Sequence, residues 1–302
     1  MKKLLLIVNP HSGRAKMRTE LLKVVEILST DYEITVYPTK SQGDATVRAA
    51  NLKNGEFDLI VACGGDGTLN EVITGMMRGG VECKIGYIPS GTLNEWSSGL
   101  NIPRSIPDAA KAIIEGGDLL LDIGKFGERY FSYTASFGAF TSASYTTAQE
   151  VKNVLGQAAY VFEGVKSLGS LKPVTLKVIA DDREVEGNFI FGAVSNSMSV
   201  GGIVKFDENT VKLNDGLFEV LLIHYPDNVL KLQPLIDGIL KKEFDREGME
   251  FFHTKRVTFI GGEGLSWTLD GEFAEGTQTV EISNIHEAIK LIVPQSKDLS
   301  KI

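Results

Sequence analysis

The Gly-Gly-Asp-Gly motif at residues 64–67 is the stretch of this chain whose residue types point most directly to phosphate chemistry. An apolar run over 57–62, typical of a buried parallel strand, precedes it, and apolar residues at helical spacing follow it. Glycines let the backbone approach a ligand closely because no Cβ is in the way. A helix N-terminus then directs free N–H groups at the same point. The stretch therefore predicts a phosphate cradle.

Two aspartates raise the question of a metal ion. Asp66 lies inside the motif, and a carboxylate beside phosphates generally needs a cation, most often Mg²⁺. A tight turn with a solvated aspartate explains the same four residues, and a short glycine motif alone does not decide between the two. Asp122 stands in an otherwise apolar run, where a buried charge is costly unless it is paired or meets a cation. It is predicted either to join a metal–water network or to face water at a strand edge.

Two further loops of small and polar residues follow predicted strands. Residues 9–13 come after the strand 4–8, and residues 90–94 come after the strand 84–89. Each loop alone is explained as a plain turn. Because parallel strands end at one edge of a sheet, where α/β proteins bind ligands, the three loops together favour a nucleotide site. Thr39, past the second strand, is placed at the same edge.

A pair of carboxylates forms a second candidate centre. Asp270 and Glu272 flank a glycine at a strand-to-turn junction. Residues i and i+2 of a regular strand share one face, so both side chains are predicted to enter one cleft as general base or metal ligand. A solvated acidic hairpin is the alternative. Asp215, also in a turn, is interpreted either as a cation ligand or as an aspartate that bonds its own backbone.

The elements that must position these groups change character near residue 125. Strands alternate with helices up to residue 124, which predicts an α/β domain with a mostly parallel sheet that binds a nucleotide, at 1–125. Short strands separated by Gly and Asp turns follow and predict a C-terminal antiparallel β-sandwich domain at 126–286.

Further elements are predicted inside the C-terminal half. Helical patterns cover about 151–168 and 228–241. The last two predicted strands are 278–282 and 288–293. The first of the two helices is apolar on one face, and we expect it to flank a substrate cleft.

Composition restricts the class of protein. The chain has 302 residues, 43% of them hydrophobic, and a net charge of −8 that argues against nucleic-acid binding. Cys63 and Cys83 do not suggest a disulfide framework, and we expect reduced thiols in a cytoplasmic protein. No stretch approaches the length of a membrane span.

Together the motifs resemble the diacylglycerol kinase catalytic-domain family, which includes bacterial lipid kinases and sphingosine kinases. The resemblance covers essentially the whole chain, and the matching segments are 9–13, 64–71, 90–94, 214–216 and 269–272. It implies two domains with the active site between them, and a final strand, within 287–302, that returns to the first domain. It also implies ATP and Mg²⁺ as cofactors, a lipid substrate, peripheral membrane contact and a homodimer.

The resemblance assigns roles residue by residue. Glu272 is the expected general base for the lipid hydroxyl, with Asp270 beside it, while Asp66 and Asp122 are expected to orient Mg²⁺, with Asp66 counted as catalytic. The expected structural cation site is Asp215 with the carbonyls of Lys212 and Leu217. The expected ATP contacts are Asn9, Pro10, Ser12, Gly13, Thr39, Gly65, Asp66, Gly67, Thr68, Leu69, Asn70, Glu71 and Thr92.

The third loop departs from the family pattern. Family members commonly read Asn-Asp-Phe-Ala-Arg there, whereas this chain has Glu95 in place of the aspartate and Ser98 in place of the arginine. Glu95 is expected in the metal–water network, but a misplacement of about 1 Å can lower a rate by orders of magnitude.

The main hypothesis is an ATP- and Mg²⁺-dependent lipid kinase that phosphorylates a hydroxyl of diacylglycerol or a related lipid. Two alternatives stay open. One is a nicotinamide-dinucleotide kinase-like enzyme, which shares a Gly-Gly-Asp-Gly turn. The other is a nucleotide- or lipid-binding regulator that has lost turnover, which the change at Glu95 motivates.

Overall fold

The computed structural model describes residues 1–91, 94–138, 173–200, 204–206, 211–228, 231–262 and 264–295. The chain folds into two compact units, which divide it between residues 123 and 124 and again between 285 and 286. The architecture is mixed α/β, with a parallel N-terminal sheet and an antiparallel, β-sandwich-like C-terminal domain, which confirms the predicted fold class.

The described helices and strands have the following bounds. The helices are α1 Lys16–Leu28, α2 Asp44–Ala50, α3 Asp66–Gly79, α4 Glu95–Gly99, α5 Ile106–Glu115 and α6 Leu232–Lys241. The strands are β1 Lys2–Val8, β2 Tyr32–Pro38, β3 Leu59–Gly64, β4 Lys84–Pro89, β5 Gly117–Phe126, β6 Arg129–Phe131, β7 Thr134–Gly138, β8 Val174–Ala180, β9 Glu184–Ser195, β10 Ser199–Val200, β11 Val204–Lys205, β12 Phe218–His224, β13 Met249–Thr254, β14 Arg256–Ile260, β15 Ser266–Leu269, β16 Glu272–Glu275 and β17 Thr279–Val293. Within the described ranges, no helix has both the length and the apolar character needed to cross a bilayer.

The first unit is built on a parallel sheet in the order β17-β4-β3-β1-β2, to which β17 contributes its last residues. Residues 4–8 of β1 and 59–63 of β3 are continuous buried apolar runs, as expected for strands that are covered on both faces. Since β1, β3 and β4 are adjacent and parallel, the loops that follow them leave the sheet at the same edge. Helix α2 packs on α3 at Gly75 and Gly79, where a Cβ would overlap the α2 backbone.

The second unit is organised around β9, a strand of 12 residues. Its first half pairs with β8, whereas its second half pairs with β7 on one side and β12 on the other, all antiparallel. The core lies on one face of these strands and is rich in aromatic rings. Phe137, Phe259 and Trp267 meet there edge to face, with ring centroids 4.8–5.8 Å apart.

Several predicted elements differ from the observed ones. The strands predicted at 278–282 and 288–293 are one strand, β17, because its polar middle is held by backbone hydrogen bonds rather than by apolar side chains; the N–H of Asn284 donates to the carbonyl of Lys255 at 2.9 Å. Strand β13 and the short helix α4 were not predicted, since the sequence of neither shows a clear hydrophobic period. The helix predicted at 151–168 lies outside the described residues.

Substitution at the sheet of the first unit tests this architecture. Leu6 in β1 is fully buried, so Leu6→Ala should lower the free energy of unfolding by about 2–5 kcal/mol through lost burial and a cavity. Leu22 in α1 is 83% exposed, and Leu22→Ala should change it by less than about 0.5 kcal/mol. Urea unfolding of both variants measures the difference. Equal losses would contradict the assigned positions.

Candidate active site

The loops after β1 and β4 are hydrogen-bonded to each other. The hydroxyls of Ser12 and Ser90 are hydrogen-bonded at 2.6 Å, and both side chains are buried. Gly13 has φ +53°, and a Cβ there would overlap the carbonyl oxygen of Ser90. Glycine is therefore required at residue 13 by both conformation and space.

The loop after β4 also lies directly against the glycine turn after β3. A Cβ on Gly91 would lie only 2.6 Å from the Cα of Gly65, so the two backbones can approach this closely only because residue 91 has no side chain. The side chain of Asn94 closes the loop on itself: its Oδ1 accepts the N–H of Gly91 at 3.0 Å, and its Nδ2 donates to the carbonyl of Gly91 at 2.9 Å.

The loops after β1 and β3 complete the arrangement. The N–H of Asn9 donates to the carbonyl of Cys63 at 2.8 Å, and the Asn9 side chain reaches the hydroxyl of Thr68 at 3.3 Å. The N–H of Thr39 donates to the carbonyl of Val8 at 2.8 Å. The three loops and Thr39 thus lie side by side at the edge where the sequence places them.

Gly67, in the first turn of α3, faces open space. A Cβ at this position would have no described heavy atom within 4 Å, and its φ is not positive. Nothing in the described part of the chain requires glycine at residue 67, although glycine in a helix is less stable than alanine. A ligand that must approach this backbone provides a reason for it.

Tyr87, in β4, is a residue of this site that the sequence analysis missed. Its hydroxyl is buried 3.4 Å from each of three oxygens: the carbonyl of Gly64, Oδ1 of Asp66 and Oδ1 of Asn94. Burial, and then the negative charge of Asp66, raise the pKa of Tyr87, so the hydroxyl keeps its proton and donates. A tyrosine in an aliphatic buried strand was the available signal, because a buried hydroxyl needs a partner.

Several other residues that were expected to contact ATP have side chains that bind or pack against the protein itself. Glu71 accepts the N–H groups of Gly43 and Ala45 at 2.9 and 3.2 Å and so caps the start of α2. Leu69 is fully buried in the core of the unit. Pro10 is half-buried, and Asn70 accepts the hydroxyl of Thr74 at 3.2 Å. Thr92 lies outside the described residues.

The expected metal ligands are placed as follows. Asp66 is half-buried at the start of α3, where its Oδ1 also accepts the N–H of Trp96 at 3.4 Å. Asp122 is fully buried, so the alternative of a water-facing strand-edge aspartate is wrong. It accepts the N–H of Glu287 at 2.7 Å and lies 3.0 Å from Nδ1 of His286. Glu95 is the first residue of α4, and its side chain lies outside the description.

No group of three or more His, Cys, Asp or Glu side chains suited to a metal occurs in the described ranges. A Mg²⁺ ion commonly keeps several waters and takes one or two carboxylates together with substrate phosphates. The carboxylate of Asp66 beside an open glycine turn fits that mode of binding. It does not fit a cage made only of protein ligands.

The two carboxylates at 270 and 272 do not share a strand face, and that prediction is wrong. Leu269 pairs with Glu272, so Asp270 and Gly271 are the two turn residues of a hairpin, with φ +49° and +88°. Asp270 instead accepts three successive backbone N–H groups, of Ser132, Tyr133 and Thr134, at 2.5, 3.0 and 2.9 Å. Glu272 is exposed at the start of β16.

Asp215 shows the geometry of a turn aspartate. Its Oδ1 accepts the N–H of Leu217 at 3.0 Å, and both Asp215 and Lys212 are exposed. This is the second of the two interpretations that the sequence left open.

Comparison with known proteins gives matches along the whole chain. The family model described as diacylglycerol kinase catalytic domain matches residues 3–126, and the model described as YegS C-terminal NAD kinase beta sandwich-like domain matches residues 135–293. The chain is 31% identical to diacylglycerol kinase of Bacillus subtilis (strain 168), over 98% of both chains. It is 30% identical to diacylglycerol kinase of Staphylococcus aureus (strain MRSA252), over 97% of this chain and 93% of that protein.

Solved structures agree with the fold. A diacylglycerol kinase from Bacillus anthracis str. Sterne has a TM-score of 0.75 over 97% of both chains, at 24% identity. Another chain from the same organism has a TM-score of 0.79 at 27% identity, over 97% of this chain and 95% of that chain.

Substitution of Gly67 tests whether this glycine serves ligand binding or only a plain turn. Gly67→Ala should stabilise the protein by up to about 1 kcal/mol, because alanine is the better helix residue. It should also weaken ATP binding roughly tenfold, about 1.4 kcal/mol, because the methyl group occupies the approach to the backbone. Thermal unfolding and calorimetric titration with ATP measure the two effects.

Gly99→Ala is the matched control. Gly99 is the last residue of helix α4 in the same unit, and a Cβ there would also meet no described heavy atom within 4 Å. It should leave ATP affinity unchanged. If Gly67→Ala were as harmless to ATP binding as Gly99→Ala, the phosphate cradle would have to be abandoned.

Proposed function

We infer the reaction from the premise that this chain belongs to the diacylglycerol kinase catalytic domain family and is a lipid kinase. We propose that it transfers the γ-phosphoryl group of ATP to a hydroxyl of diacylglycerol or a related lipid. The observation that carries the proposal is the assembly of three small-residue loops at the N-terminus of α3, where Gly67 faces open space.

In the proposed reaction the loops of the first unit hold the nucleotide. The turn at Gly65 and Gly67 leaves room for phosphate oxygens against the backbone, and the N-terminus of α3 contributes a positive dipole end. Ser12 and Ser90 keep the flanking loops in place through their mutual hydrogen bond. Preorganised loops matter because phosphoryl transfer depends chiefly on positioning and on neutralisation of charge.

Asp66 is the side chain proposed to hold Mg²⁺, with Asp122 and Glu95 acting through water. A bound Mg²⁺ would neutralise charge on the phosphates. Tyr87, kept protonated by its surroundings, helps to orient the carboxylate of Asp66. The buried Asp122 is held by its own hydrogen bonds to 286 and 287, which fits a positioning role through water better than direct ligation.

Glu272 is proposed as the general base that accepts the proton of the lipid hydroxyl. It is exposed and follows directly on a hairpin turn that Asp270 anchors with three hydrogen bonds. A base on a rigid support can be held within hydrogen-bond reach of its substrate. Asp270 therefore acts in the proposal as the residue that positions Glu272.

Three finer parts of the proposal rest on the family alone. They are a structural cation at Lys212, Asp215 and Leu217, peripheral contact of a cytoplasmic enzyme with the bilayer, and a homodimer. A cation at Asp215 would have to share a carboxylate that already accepts the N–H of Leu217.

Glu272→Gln tests the proposed reaction. With ATP, Mg²⁺ and a panel of micellar lipids, the parent protein should phosphorylate a diacylglycerol. The variant should lose about 10²–10⁴-fold in kcat, because glutamine cannot accept the proton. Glu275→Gln is the control, since Glu275 is another exposed glutamate of β16.

The same assay with nicotinamide dinucleotide beside the lipid panel decides between the two candidate enzymes. If the parent protein labelled nicotinamide dinucleotide and no lipid, the first alternative would replace the proposal. Equal loss of turnover in the variants at 272 and 275 would remove Glu272 from the role of base.

Glu95→Asp addresses the regulator alternative. We expect the activity of this variant to stay within about tenfold of the parent. The parent Glu95 is longer than aspartate, but because it is proposed to act through water it can still reach the ion. Steady-state kcat at saturating ATP and lipid measures it. A gain of two or more orders of magnitude would mean that the parent protein has a degraded site, as a regulator would.

A further inference from the structure

Helix α2 receives its N-terminal cap from a residue of another helix. Gly43, the residue before α2, has no side chain that could cap the helix. The carboxylate of Glu71, in α3, takes this place: Oε1 accepts the N–H of Gly43 at 2.9 Å, and Oε2 accepts the N–H of Ala45 at 3.2 Å. Both oxygens of Glu71 are thus bonded to backbone groups, at a helix start where a negative charge is favourable.

The segment that Glu71 holds is the connection from β2 to α2, residues 39–43, here called the β2–α2 turn. Its first residue is bound to the neighbouring strand, since the N–H of Thr39 donates to the last carbonyl of β1 at 2.8 Å. Its second residue is bound to α2, because the N–H of Lys40 donates to the carboxylate of Asp44 at 2.8 Å. Glu71 adds the attachment of the turn to α3.

Glu71 belongs to the helix that begins at the proposed phosphate cradle. It follows Gly67 by four residues, so the two lie on one face of α3, a single turn or about 5–6 Å apart. The side chain of a helical residue leans toward the helix N-terminus, which is here the end that bears the cradle. The carboxylate of Glu71 therefore fixes the position of the β2–α2 turn relative to the cradle.

The order of the strands indicates which part of a nucleotide meets the β2–α2 turn. In the order β4-β3-β1-β2, the turn after β2 lies two strands away from the cradle after β3. Adjacent strands are about 4.8 Å apart, so the two loops are separated by about 10 Å. A nucleoside triphosphate that has its phosphates in the cradle and extends along this edge brings its nucleoside to the turn.

We propose that Glu71 is a positioning residue, which holds the β2–α2 turn and its Thr39 in place for the nucleoside end of ATP. The inference deepens the proposed function and rests on it. It differs from the direct ATP contact that the resemblance implies for Glu71. A carboxylate that already accepts two N–H groups of the protein would repel phosphates, whereas the same carboxylate can act on ATP through the turn that it holds.

Glu71→Gln is the first test. Glutamine has the same shape, but its NH₂ group cannot accept an N–H, so one of the two contacts with the turn is lost. The dissociation constant for ATP, measured by calorimetric titration, should rise about three- to tenfold, the effect of one lost hydrogen bond. The dissociation constant for inorganic tripolyphosphate, which has no nucleoside, should not rise.

Glu56→Gln is the matched control for this substitution. Glu56 is also half-buried, and its Oε2 accepts the N–H of Lys53 at 3.1 Å, but it lies in the turn that follows α2 rather than the turn that precedes it. The variant makes the same chemical change in the same unit. It should leave the constants for ATP and for tripolyphosphate unchanged.

A pair of glycines tests the turn itself. Gly43 and Gly55 have φ of +83° and +79°, and a Cβ on either would meet no described heavy atom within 4 Å. Alanine at either position should therefore introduce similar backbone strain and lower the midpoint of urea unfolding by a similar amount. Only Gly43→Ala should weaken ATP binding, because Gly55 lies beyond the C-terminal end of α2.

The outcomes separate this inference from the proposed reaction. If Glu71→Gln binds ATP as tightly as the parent protein, or loses as much affinity for tripolyphosphate as for ATP, the positioning role is refuted and the kinase stands. Equal loss of ATP affinity in the two glycine variants also refutes it, because general destabilisation would explain that loss. If the parent protein binds ATP but phosphorylates no lipid, the proposed function fails, and the same binding constants still decide the role of Glu71. A parent protein that binds no ATP overturns both.

Discussion

The first unit depends on the contact between the backbones of Gly65 and Gly91. A Cβ on Gly91 would come within 2.6 Å of the neighbouring Cα, so any other residue there would force the loops after β3 and β4 apart. That separation would also disturb the Ser12–Ser90 bond and the oxygens around the Tyr87 hydroxyl. The glycines therefore have two different tasks: Gly13 and Gly91 let the loops assemble, while Gly67 leaves open space at the start of α3.

The second unit has a comparable anchor in Asp270. A carboxylate that accepts three successive N–H groups is a strong, directional contact, because each bond is charge-assisted. It fixes a two-residue turn to the start of β7 and so sets the position of everything that follows on β16. The residue looks like half of a catalytic pair in the sequence, and in the structure it acts on the backbone.

Two residues are less favourable for stability than a simple substitution would be. Gly67 occupies a helix position with room for a methyl group, and Thr134 buries a hydroxyl that has no partner in the described ranges. Local features that disagree with the rest of a well-packed fold are expected at functional sites. Of the two, Gly67 lies at the start of α3 beside the proposed nucleotide, and so it marks that part of the proposed reaction.

The sequence by itself determined the alternation of strands and helices in the first unit and the edge at which its loops meet. Short, largely apolar runs such as 4–8 and 84–89 indicate buried strands, and parallel strands bring their carboxyl ends together. Local pattern did not determine what each polar side chain binds. Glu71 caps α2, Asp122 contacts residues more than 160 positions away, and Asp270 lies in a turn rather than on a strand. These partners are distant in sequence, and only tertiary packing brings them within hydrogen-bonding distance.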